Sequence, residues 1–218
     1  MAAKYRKLLI GIGAISGILS CLVDVVSSTV LGSQIEGYDH LRSPLSQLGI
    51  SSSPVASEIA LWWEIVGILM ILFGISIYVA FRDKGKNALI ASMLLILYGI
   101  GEGLGSGLFP ADKAGTIHSD TGIFHILIGG MGVVGLAHFP LIMRNLMPGL
   151  KKVSMIIFIF GFIGVSLFLL SPLIDEPLNF IAEYKGLWQR LFITNYYFYL
   201  VVVASKLIYF AINEASGG

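Results

Sequence analysis

The chain has 218 residues, 56% hydrophobic and only 12% charged, against about 25% charged residues in a soluble domain, which excludes a water-soluble enzyme. With 14 Lys and Arg against 13 Asp and Glu the formal net charge is +1, so there is no basic field to hold a nucleic-acid backbone, and nucleic acid is not an expected partner. The single cysteine, Cys21, lies in an apolar run and permits neither an intrachain disulfide nor a cysteine-rich zinc site.

Apolar runs of about 18 residues or more are long enough to cross a hydrocarbon core of about 30 Å as helices. Six such runs, spans one to six, are predicted at 8–31, 59–81, 88–109, 121–143, 153–174 and 189–211. No small-residue cleavage pattern follows the first, which is read as a retained helix and not a removed signal peptide. Cytoplasmic connections collect Lys and Arg. The N-terminal tail carries Lys4, Arg6 and Lys7, the second connection Arg82, Lys84 and Lys86, and the fourth Arg144, Lys151 and Lys152. The opposite connections hold only Arg42, Lys113 and Lys185. The reading is an all-α, polytopic bundle of six transmembrane helices over residues 1–218, a multi-pass protein of the cell membrane with both termini cytoplasmic. In that orientation only Asp83 and Glu214 among the acids fall at the inner face, while the remaining acids, with His40, His118 and His125, gather toward the outer side. The long first loop and the polar positions do not recur in the second half, so a simple bundle is expected in place of an inverted repeat.

In span one, Ser20, Asp24 and Ser27 follow i, i+4, i+7 spacing above Gly17 and so share one helix face. Burying Asp24 in lipid costs about 2.5–3.5 kcal/mol on insertion scales unless it is paired, protonated or wetted. That face is expected to meet a helix or a water-filled cavity. The first outer loop is long, and its Tyr38, Leu41, Leu45 and Leu48 follow helical spacing, which predicts a short amphipathic or re-entrant helix capping the outer mouth. Trp62 and Trp63 at the start of span two read as interfacial belt residues.

Span three ends in Gly99, Gly101, Glu102, Gly103, Gly105 and Gly107. The glycines let neighbouring helices approach; packing does not explain the glutamate, which is expected to face another helix or a cavity. Next comes the segment Phe109, Pro110, Ala111, Asp112, where Ser119 or Asp120 reads as the N-cap of span four. His118 and His125 are seven apart, about 10.5 Å on a continuous helix, too far to share one ion there. If the helix starts at Asp120, His118 can fold back over His125, and metal ligation is allowed but not demanded. Before span six, Arg190 is expected to face the outer acids or an anionic substrate group, which its planar fork suits. Tyr196, Tyr197 and Tyr199 read with Trp188 as an interfacial belt.

Tyr38, Asp39, His40, Ser43, Ser46, Gln47, Leu48 and Gly49 after span one, Phe109 to Asp112 after span three, His125 in span four and Gly186 to Arg190 before span six together resemble the domain of unknown function 998 family. The resemblance covers nearly the whole chain and implies a prokaryotic six-helix membrane protein, with no activity attached. A looser likeness is to the alkaline ceramidase and adiponectin-receptor type of intramembrane hydrolase, which implies zinc held by histidines and acids. Those proteins have seven spans and two histidines on the last helix, whereas this chain has six spans and no histidine after His138.

Three readings remain open. The first is an enzyme that hydrolyses a lipid or lipid-linked amphiphile. In it Asp24, Glu102 and Asp112 are the catalytic candidates, Tyr38, Asp39, Ser46 and Arg190 bind substrate, and His40, His118 and His125 ligate zinc or another divalent metal that activates water. Without metal, Glu102 and His125 serve as an acid and base pair. The second is a small transporter or amphiphile-binding protein using the same pocket. The third is an assembly partner whose glycine-lined helices pack against another membrane protein.

Overall fold

The computed structural model describes residues 3–113, 119–173 and 178–213. Six helices in it are long and apolar enough to cross a membrane: Lys4–Gly32, Ala56–Lys84, Lys86–Leu108, Asp120–Leu146, Pro148–Leu170 and Lys185–Asn213. They are the six predicted spans, most of them lengthened by a turn or so. Hydropathy marks the lipid-facing part of a helix, whereas the helix itself runs on until a cap or turn stops it. Between spans two and three that turn is Gly85, whose φ of +63° is a conformation L side chains rarely adopt. At the head of span four Ser119 is the N-cap, its Oγ accepting from Gly122 N at 3.0 Å.

The spans form a ring in chain order, each packed on the next, and span six closes the ring against span one. Small residues set the close approaches. Gly13 of span one lies against Ser76 and Gly17 against Phe73 of span two, while Gly67 of span two meets the backbone of Gly99 and Gly103 in span three. Gly101 meets Gly132 in span four, and Gly161 and Gly164 of span five receive Tyr196 and Phe192 of span six. Phe73, Phe139 and Tyr199, all fully buried, fill the ring toward the end where both termini lie. At that end Arg6 donates to the carbonyls of Val79 (3.2 Å) and Ala80 (2.9 Å), tying the N-terminal helix to the end of span two.

The other end is capped by the first loop. Its helix is shorter than the apolar spacing predicts: residues 33–44 form turns, and only Leu45–Gly49 is helical, as a 3-10 segment. Pro44 explains the difference, since it offers no backbone N–H and drives Ser43 out of the helical region, so a helix cannot run from Tyr38 to Leu48. The segment also does not lie at the lipid surface. Leu45 and Leu48 are buried, and the 3-10 turn packs on spans one and two and the end of span three.

Candidate functional site

Under this cap the ring encloses a cavity of about 350 Å³. Asp24 from span one, Trp63 and Val66 from span two, Tyr98, Glu102 and Ser106 from span three, His125, Gly129 and Gly130 from span four, and Lys185, Gln189 and Tyr197 from span six all line it, with Leu45 and Ser46 from the cap. The remaining walls are apolar, among them Phe168 and Leu169 of span five. Four residues on the wall, Ile126 (52% exposed), Gly130, Val134 (54%) and Leu169 (60%), are also exposed on the outside. The cavity is therefore open on the side of spans four and five.

The polar face of span one is buried as its spacing predicts. Ser20 is fully buried and donates to Val66 O at 3.1 Å, and Asp24 is 6% exposed. Asp24 Oδ2 accepts from Tyr197 Oη at 2.7 Å, and Tyr197 in turn shares a 2.7 Å hydroxyl contact with Tyr98. A carboxylate in span one, a tyrosine in span six and a tyrosine in span three thus form one buried chain across the ring.

Glu102 sits in a π-helical stretch, Gly99–Gly105, a distortion that recurs at functional sites. Every second residue there is glycine, so the loosened turn carries one carboxylate between glycines, with Ile100 and Leu104 as its other side chains. The partner surface on span four is also glycine: a Cβ at Gly129 would stand 3.1 Å from Glu102 Oε1, and one at Gly132 3.0 Å from its Cγ. His125 is one turn toward the cap from Gly129, about 6 Å along the helix axis, on the same face. Its Nδ1 lies 2.9 Å from the carbonyl of Phe109. A carbonyl can only accept, so Nδ1 carries the proton and Nε2 is the nitrogen free to act as base or ligand.

A family model matches residues 18–206, described as a protein of unknown function (DUF998). The chain belongs to the DUF998 family. No curated protein and no solved structure matches it.

The predicted site residues of this DUF998 protein fall into separate groups. Asp24, Ser46, Glu102 and His125 meet at the cavity. Tyr38, His40 and Arg190 form a clamp between the first loop and span six: Arg190 donates to Ser43 O (2.9 Å), Gly186 O (3.1 Å) and Tyr38 Oη (3.0 Å) and stands 3.3 Å from His40 Nδ1. Backbone bonds from Gly186 N to Arg42 O and Leu187 N to Leu41 O, and from Leu45 N to Gln189 Oε1 at 2.6 Å, complete it. Burial, and then the Arg190 charge, holds His40 below its ordinary pKa, while Asp39 pulls the other way; burial pushes the Tyr38 phenol up. Asp39 faces solvent, accepting from Leu41 N at 2.8 Å and pairing with Arg42 at 3.5 Å. Asp112 takes both the backbone N (3.2 Å) and Oγ (2.6 Å) of Ser119, fixing the cap of span four. His118 lies outside the described residues. Among the described residues no three His, Cys, Asp or Glu side chains converge closely enough to hold a metal ion. Asp24 is engaged by Tyr197, and His40 lies beside a guanidinium.

Other cavity residues went unrecognised as such in the sequence. Trp63, read as a belt residue, is 6% exposed and part of the wall, whereas Trp62 does face outward. Tyr196, Tyr197 and Tyr199 are core residues, not an interfacial belt. Lys185, whose Nζ lies 5.1 Å from the centre of the Phe168 ring, belongs to the cavity and carried no motif, and Gln189, part of the Gly186–Arg190 string, lines it too.

Proposed function

We propose that this protein draws a lipid or lipid-linked amphiphile from the outer leaflet into the cavity and hydrolyses it, with Glu102 and His125 as the acid and base pair. One observation carries the reading: an oriented histidine on span four and an unengaged carboxylate on span three line one cavity that is open on the side of spans four and five. The sideways mouth suits an acyl or prenyl chain that stays in lipid while the polar head enters the ring. One member of the pair takes a proton from the attacking water and the other returns one to the leaving group, a contribution of about 10²–10⁴-fold in rate. Ser46, Ser106 and Gln189 supply hydrogen bonds for the head.

The test is to incubate the purified protein in nanodiscs with a total lipid extract and identify the consumed species by mass spectrometry. Glu102→Gln and His125→Ala are expected to cut turnover at least about 100-fold, and turnover unchanged in both overturns the reading. In the metal-dependent form Nε2 of His125 and the Glu102 carboxylate would be two of the three protein donors a catalytic zinc needs, and no third stands with them among the described residues. Elemental analysis then finds one ion per chain and a chelator stops turnover.

A carrier reading rests on the Asp24–Tyr197–Tyr98 chain, which reaches deeper than hydrolysis requires. It predicts uptake into proteoliposomes that collapses with Asp24→Asn, with no product formed.

A further inference from the structure

We infer that the head group received by this cavity carries a positively charged nitrogen, an alkylammonium that Glu102 holds between the rings of Trp63, Tyr98 and Tyr197. The inference rests on the amphiphile reading above and names the chemistry of its head. Glu102 has no hydrogen bond or ion pair with any described residue, and among the described residues the charge that bears on it is Asp24, of like sign. A carboxylate in a membrane interior without a counter-charge is costly, and a cation brought by the ligand offsets that cost. Lys185, a cation on the cavity wall, does not fill this role: its ammonium lies over Phe168 at the start of span six and makes no ion pair with Glu102.

The walls have matching chemistry. Trp63, Tyr98 and Tyr197 come from three different spans to one cavity, and aromatic faces attract ammonium groups most strongly where water is excluded. Room is left for the group as well, since span four offers glycine at 129 beside the carboxylate. A neutral hydroxyl head can donate to the carboxylate but brings no counter-charge, and an anionic head is repelled by it.

The experiment compares octylammonium, octanol and octyl sulfate for binding to the protein in lipid nanodiscs, with partition into protein-free discs subtracted. Octylammonium is expected to bind at least tenfold tighter than the other two. Glu102→Gln removes that preference, and Gly130→Trp, at the open side of the cavity, weakens binding of all three. Equal binding of the three probes, or tightest binding of octyl sulfate, overturns the cationic head group and leaves the amphiphile pocket standing. If no probe binds above the protein-free discs, the pocket reading itself fails, and this inference with it. The three-probe comparison on the unmodified protein decides the matter even where a variant does not fold.

Discussion

Two adjacent tyrosines in span six hold their hydroxyls in opposite circumstances. Tyr197 Oη donates to Asp24 and also contacts Tyr98, whereas the buried hydroxyl of Tyr196 has no hydrogen-bond partner among the described residues. Removing one partner of a buried pair leaves the other unsatisfied, at about 1–3 kcal/mol, while removing a hydroxyl that had no partner takes away a desolvation cost. Tyr197→Phe is therefore expected to destabilise the protein by about 1–3 kcal/mol and Tyr196→Phe to leave it unchanged or more stable. Unfolding titrations of the two variants in the same detergent measure the difference. Equal destabilisation by both means that the Tyr196 hydroxyl also has a partner, and no effect from either means that the tyrosines matter only as rings.

Among the elements, the contact between spans two and three depends on the absence of side chains. A Cβ at Gly67 would stand 2.6 Å from Gly99 O, and one at Gly103 would run into the backbone of Gly67. Backbone cannot yield as a side-chain tip can, so Gly103→Val is expected to cost about 3 kcal/mol by overpacking. Gly11→Val, at a position where a Cβ meets nothing within 4 Å, serves as the matched control and should unfold like the parent. The clamp over the cavity has a pH dependence of its own. His40 titrates below its ordinary value of 6.5 in the folded protein, so its contribution to stability is present above that value and lost as pH falls through the folded pKa. Once protonated, its Nδ1 no longer accepts from Arg190, and two cations face each other; Asp39 only partly offsets this. Hydrogen exchange of residues 38–44 and 185–190 is expected to speed up between about pH 7 and pH 5 beyond the intrinsic trend. His40→Gln, which accepts but does not titrate, should flatten that response. A change of the same size in His40→Gln assigns the pH dependence to another group.

Across the whole molecule, hydropathy and the positions of Asp24, Glu102 and His125 already predicted six spans with the polar chemistry gathered at one end. What hydropathy cannot give is how each helix is rotated about its axis. The bond from Asp24 to Tyr197 joins residues 173 positions apart in sequence, and Trp63 and Lys185 belong to the cavity only because of how spans two and six are turned. Arg190 and His40 look like substrate or metal residues in sequence because a clamp that holds a loop over a cavity uses the same polar side chains as a site within it. The ring places both termini at one end and the cavity at the other, so the excess of Lys and Arg in the N-terminal tail and the even connections makes the cavity face outward if the positive-inside rule holds. A cysteine at Ser52, exposed beside the cap, and one at Lys84, exposed at the opposite end, report the orientation directly. Native Cys21, 3% exposed, should stay silent. In intact cells a membrane-impermeant maleimide is expected to label Ser52→Cys at once and Lys84→Cys only after permeabilisation. The reverse pattern would turn the cavity toward the cytoplasm, and the amphiphile would then come from the inner leaflet.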